Sequence, residues 1–179
     1  MSNFVPVSTL EHVPPVVAAS VDFEASAPVV LRRAAMQDIP ALLSLINAYA
    51  RLGIMLPRTE FEMAENIRDF TVLFSGNQLV GCAALHFYGP TMGEIRSLAV
   101  DPRTKGQGFG RLLVEQLVLE AQAFSLGAVF AFTYVDRFFE KLNFVKVDRG
   151  YLPLKAWKDC LKCPKFQCCD EIAMVRHLA

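Results

Sequence analysis

The chain predicts an α/β domain of the α+β kind. A central mixed, mostly antiparallel sheet of six to seven strands is expected, flanked by about four helices. Two observations carry this. Between residues 70 and 100 three runs of strand character follow one another across short turns, as antiparallel neighbours do. Between residues 93 and 134 a strand, a glycine-rich turn, a helical period and a continuous apolar run succeed one another, the order of a βαβ unit with a right-handed crossover. At 179 residues there is room for one such domain and a short extension.

Taken in order, residues 1–28 hold four prolines with many Val, Ala and Ser and no sustained period. They read as a flexible leader before a domain over 29–179. Residues 29–34 suit a first strand. Asp38 is placed to cap the helix that follows, with Pro40 in its first turn. Ile39, Leu42, Leu43, Ile46 and Tyr49 give that helix its apolar stripe, and Gly53 ends it. Thr59-x-x-Glu62 is a capping box for a second helix reaching about Asp69. Strands over 70–74 and 78–86 flank Gly76-Asn77 as a hairpin, and a third over 93–100 follows across Gly89-Pro90. A helix over about 108–124 buries Leu113, Leu117 and Ala121 beside Val114 and Val118. Residues 128–134 read as a central strand, 137–142 as a short helix stopped at Asn143, and 144–147 and 171–176 as the last strands.

Hydrophobic residues make up 53% and charged residues 20%, with formal net charge zero. That balance argues against nucleic acid or an anionic membrane as the main partner, since both favour a basic excess. No apolar run is long enough to span a bilayer. No lysine or arginine precedes Arg32, which fits neither a signal nor a transit peptide. Of five cysteines one lies in a strand and four cluster near the C-terminus, unlike a secreted disulfide framework. The cytoplasm is the expected location.

The stretch from Gly93 to Arg111 organises the rest. Ile95, Leu98 and Val100 suit a mostly buried strand, and Asp101-Pro102 stops it because proline has no N–H for a sheet ladder. Glycines at 106, 108 and 110 then open a helix, leaving backbone N–H groups clear where the dipole adds roughly half a positive charge. That is a seat for phosphates. A dinucleotide fingerprint would need its third glycine one residue later, and a P-loop would need Lys-Ser/Thr after Gly110 instead of Arg111-Leu112.

The order strand, Asp-Pro, basic residue, glycine loop, helix resembles the acetyl-CoA site of GNAT-type N-acetyltransferases. Their Arg/Gln-x-x-Gly-x-Gly/Ala is filled here by Lys105-x-x-Gly108-x-Gly110, where lysine keeps the charge but loses the planar fork. Phe138-Phe139-Glu140-Lys141-Leu142-Asn143-Phe144 resembles the family's Tyr-Glu-Lys-Leu-Gly-Phe element beside the cofactor thiol. The resemblance covers about 29–178. It implies the GNAT fold and acetyl-CoA as co-substrate, with no metal required. It implies that Lys105, Gly106, Gln107, Gly108, Phe109, Gly110 and Arg111 hold the pyrophosphate. It implies that Leu98, Ala99 and Val100 run beside the pantetheine arm, with the oxyanion near the Leu98 N–H, and that Phe139 lies at the thiol.

Acetyl transfer requires a neutral amine, and an α-amine with a pKa of roughly 8 or above benefits from a base at neutral pH. Glu94 is the candidate, a carboxylate among apolar residues at the head of the strand where such a group is costly unless used or paired. Pairing with Arg96 is the alternative. Phe139 stands where other members place a tyrosine that protonates the thiolate. Either no acid is needed or Tyr134, at the end of the preceding strand, serves; packing is the other reading of Tyr134. Residues 53–62, with Arg58, resemble a loop of bacterial N-acetylglutamate synthases in which an arginine grips a substrate carboxylate. Cys82-Ala83-Ala84-Leu85, Gly93-Glu94 and the phenylalanine at 139 are shared with that group. Arg58 could equally be a solvated loop residue.

An amino acid, glutamate first, is therefore the expected small-molecule acceptor, which would make Arg58 and Glu94 substrate-binding. A protein N-terminus, a polyamine, or a non-catalytic acetyl-CoA-binding role are the alternatives, and a homodimer is compatible with the family. No amino-acid-kinase segment is present, so feedback through one is not expected. Cys160-x2-Cys163 with Cys168 and Cys169 has the ligand count for zinc but a cramped second half, and reduced thiols or a redox-labile pair read equally well. No metal is assigned. Lys162 or Lys165 could meet a second substrate carboxylate. His86 receives no role.

Overall fold

The computed structural model describes residues 28–152, 161 and 168–178. The leader over 1–28 therefore lies, Pro28 apart, outside the described residues, as does most of the cysteine-rich segment 157–170.

Among the described residues seven strands form one sheet: β1 (Val29–Arg33), β2 (Phe70–Ser75), β3 (Gln78–Phe87), β4 (Met92–Val100), β5 (Ala128–Thr133), β6 (Val145–Val147) and β7 (Ile172–His177). Four helices accompany them: α1 (Ile39–Arg51), α2 (Glu60–Asn66), α3 (Phe109–Ala123) and α4 (Asp136–Glu140). The strand order is β1-β2-β3-β4-β5-β7-β6, with β4 and β5 parallel and the other pairs antiparallel. The expected mixed, mostly antiparallel sheet with four helices is what forms. The last strand goes between β5 and β6, because it can satisfy the ladders of both at once.

One face of the sheet packs on α3 and α4 through Leu85, Ile95, Leu113, Leu117, Val129 and Phe139. The other packs on α1 and α2 through Leu42, Ile46, Met63, Val72, Cys82 and Ala84. The capping box of α2 forms as expected: Thr59 Oγ1 accepts from the Glu62 N–H at 3.2 Å and Glu62 Oε2 from the Thr59 N–H at 2.9 Å. The cap expected from Asp38 does not. Its carboxylate makes no bond to α1; it is taken by the Arg32 guanidinium at 2.7 and 2.9 Å and by the Ala35 N–H. A bidentate charged partner outcompetes a backbone donor for the same oxygens, and it holds the Asp38 carboxyl below its ordinary value.

Within β4, Ser97 takes a left-handed conformation at φ 53°, and the register slips there: Ala84 faces Arg96 while Cys82 faces Ala99. Ser97 and Leu98 together oppose Ala83, a β-bulge that bends the strand and tightens its twist.

Candidate active site

The bulge decides where two strands part. β4 pairs with β5 over three positions, Met92 with Ala128, Gly93 with Val129 and Glu94 with Phe130. Past Glu94, β4 stays with β3 as far as Val100, while β5 stays with β7 as far as Thr133. A wedge opens between them with Glu94 at its apex. The Asp101 N–H donates to the Val80 carbonyl at 2.8 Å, so by alternation Ala99 also turns its peptide groups toward β3, and Leu98 and Val100 turn theirs away, into the wedge. An extended chain can lie there as an added strand. Of the three positions expected at the pantetheine arm, Leu98 and Val100 suit it. Ala99 does not, because its peptide groups serve β3. The Val100 carbonyl already accepts from Tyr49 of α1 at 2.6 Å, which leaves its N–H for a ligand.

β4 runs straight into the glycine loop. Asp101, buried, accepts from the Arg103 N–H at 2.9 Å and from the Arg103 guanidinium at 2.6 Å. Arg103 thereby keeps the Asp101 carboxyl below its ordinary value. This fixes the single 3-10 turn that leads to Lys105. Gly106 and Gly108 then adopt φ of 91° and 81°, a region other residues enter only with strain. The first N–H groups of α3, those of Phe109, Gly110 and Arg111, have no acceptor within the helix. Lys105 and Arg111 are exposed and make no ion pair among the described residues. Open donors, a helix N-terminus and two cations fit a pyrophosphate. Gly110 packs against the Phe138 ring, which would stand 3.4 Å from a Cβ at that position, the near limit of ordinary contact.

Glu94 is 2% exposed. Ile95 points to the α3 face, so Glu94 and Arg96 share the α1–α2 face with their cross-strand partners His86 and Ala84. On that face His86 Nδ1 lies 2.6 Å from Asp69 Oδ2, and Arg96 approaches the same oxygen at 3.7 Å and Asn66 Oδ1 at 3.4 Å. Arg58 is half-buried in the loop between α1 and α2. Its N–H donates to Asn47 Oδ1 at 2.9 Å and its carbonyl accepts from Asn47 Nδ2 at 3.0 Å. One side chain of α1 thus fixes both backbone groups of the loop.

Tyr134 follows β5 on the far side of the wedge, exposed, its hydroxyl donating to Asp170 Oδ1 at 2.9 Å. Phe139 is a core residue, 3% exposed, with ring centroids of Phe138 and Phe144 each 5.1 Å away. It is Phe138, half-buried against Gly110, that faces the glycine loop. Cys160, Cys163, Lys162 and Lys165 lie outside the described residues. Cys168 is exposed and Cys169 half-buried, and no group of metal ligands occurs among the described residues. No helix among them is long and apolar enough to cross a membrane.

Asn47 carries no motif that marks it in the sequence, and Tyr49 and Phe138 stand there only within an apolar stripe and the 138–144 element, with no role of their own. Asn47 has a faint signal, as a poor helix former in the middle of an otherwise regular helix.

A sheet split at a buried carboxylate, feeding a positive-φ glycine loop at a helix N-terminus, defines an acyl-CoA-dependent transferase. The profile of the acetyltransferase (GNAT) family matches residues 41–144, and the chain belongs to that family. It is an acyltransferase with acetyl-CoA as donor, and such enzymes need no metal. It is 40% identical over 148 residues to an uncharacterized N-acetyltransferase of Chlorobaculum tepidum, covering 83% of this chain and 96% of that one. It is 34% identical over 122 residues to an amino-acid acetyltransferase of Mycobacterium tuberculosis, covering 66% and 70%. Among solved structures, N-acetylglutamate synthase from Neisseria gonorrhoeae, complexed with coenzyme A and N-acetyl-glutamate, superposes with a TM-score of 0.77 at 29% identity. That match covers 84% of this chain and 35% of the synthase.

Proposed function

We propose that the enzyme transfers acetyl from acetyl-CoA to the α-amine of an amino acid, with L-glutamate as the acceptor, giving N-acetylglutamate for arginine synthesis. The observation that carries this is the seating of Arg58: Asn47 bonds both of its backbone groups from α1, the helix that packs on the sheet face holding Glu94. An arginine side chain carried on that loop suits an amino-acid carboxylate by a bidentate bond. The relatives named for amino-acid acetylation and for N-acetylglutamate synthesis support the same acceptor. In this reading Glu94 draws a proton from the bound ammonium, and the Leu98 N–H steadies the carbonyl oxygen as charge builds on it. Leu98 and Val100 lay the pantetheine arm in the wedge, and residues 105–111 hold its phosphates. The enzyme works in the cytoplasm.

The test is thiol release from acetyl-CoA with a panel of free amino acids, a polyamine and a peptide with a free N-terminus. Turnover highest with L-glutamate is the expected result. Preference for the polyamine or the peptide would overturn the acceptor.

A further inference from the structure

His86 and Asp69 form a polar pair on the sheet face that acetyl transfer does not itself require. Resting on the reading of Glu94 as the base, we infer that His86 and Asp69 form the route by which Glu94 returns its proton to solvent.

The reaction itself sets the need. A protonated amine and acetyl-CoA give an N-acetyl amine, free thiol and one proton: the C–S bond breaks, the N–C bond forms, and of two N–H protons lost one goes to sulfur and one must leave. Glu94, only 2% exposed, cannot shed it directly to bulk water. His86 is its cross-strand partner in β3, on the same face, and cross-strand side chains stand about 5 Å apart at Cβ. Unlike Glu94 it is partly exposed. Its Nδ1 lies 2.6 Å from Asp69 Oδ2, a contact that orients the ring; with the proton on Nδ1, Nε2 is the basic nitrogen. Asp69 is more exposed than His86, with 26% of its side chain open against 16%. Exposure therefore rises stepwise from Glu94 through His86 to Asp69. Arg96 reaches the same Asp69 oxygen at 3.7 Å. Tyr88 packs edge-on against the His86 ring with centroids 5.1 Å apart, and the Glu120 carboxylate is charge-coupled to Asp69.

Two variants separate proton transfer from support. His86→Asn can still donate to Asp69 but cannot carry a proton; His86→Ala leaves space for a small base. Steady-state rates are measured across the neutral and alkaline range with the best acceptor of the panel above. Both variants should lose about tenfold or more in kcat, with KM for acetyl-CoA little changed, and added imidazole should restore His86→Ala. Wild-type kcat in His86→Asn across the range, or loss in His86→Ala that imidazole leaves unrestored, overturns the relay. Glu94→Gln run in parallel tells the two readings apart. If it is impaired while His86→Asn is not, the relay alone fails; if it turns over normally, the base assignment fails and takes the relay with it.

Discussion

Asn47 holds Arg58 by both of its backbone groups, at 2.9 and 3.0 Å, from the middle of α1. The loop between α1 and α2 is otherwise mostly exposed, so this amide supplies much of what keeps it in one conformation. Asn47→Ala should raise KM for the amino-acid acceptor about tenfold, as loss of roughly 1–2 kcal/mol of hydrogen bonding implies, while KM for acetyl-CoA stays within twofold. Initial-rate measurements against each substrate check it. An equal rise in both constants would mean that Arg58 is not on the acceptor side.

Gly108 opens α3 at φ 81° with nothing within 4 Å of where a Cβ would stand, so conformation alone demands glycine. Gly108→Ala should cost about 1–2 kcal/mol in stability and raise KM for acetyl-CoA several-fold. Gly108→Asn should cost less, because asparagine tolerates that region. Urea titration and initial rates would show both. Gly110→Ala should cost less than Gly108→Ala, because its φ is not positive and a Cβ would meet the Phe138 ring at 3.4 Å, close to ordinary contact.

Tyr134 donates its hydroxyl proton to Asp170. If that hydroxyl also protonates the leaving thiolate, Tyr134→Phe should lower kcat about a hundredfold and leave both KM values unchanged. A kcat within twofold of wild type would assign the tyrosine to holding the segment before β7, and the thiolate would leave without an acid.

Cys82 is wholly buried in β3, its Sγ donating to the Ser97 carbonyl at 3.6 Å, and burial pushes its thiol up to about 12. The folded form keeps its proton where the unfolded thiol, near pH 8.5 to 9, has lost it. The unfolded chain then binds fewer protons, so this contribution is full below about pH 9 and is lost as pH rises toward 12. Unfolding free energy should fall over that interval, less steeply in Cys82→Ala. Thiol labelling of the native protein should modify exposed Cys168 and spare Cys82.

Most of the fold was legible because its signals are local. The capping box at Thr59, the Gly76-Asn77 hairpin and the apolar stripe of α3 each depend on residues a few positions apart. A candidate donor side could be proposed from the sequence for the same reason, since Leu98, Val100 and residues 105–111 lie close together in the chain and are expected to act largely through backbone. Ala99 was misplaced there because a peptide group's direction follows ladder register, which a strand's own residues do not state.

What the sequence alone determined, then, was the family, and the strand-loop-helix with a carboxylate at its head that is the candidate site for acetyl-CoA. What only the tertiary structure decided was everything made by meeting at a distance. The Ser97 bulge parts β4 from β5 just past Glu94, and β7 slips between β5 and β6. Asn47 reaches Arg58 across 11 positions, Tyr49 reaches Val100 across 51, and Asp69 reaches His86 across 17. Such contacts depend on which faces the sheet and helices turn toward one another. Many pairings satisfy a single side chain locally, and only close packing of the whole core selects among them.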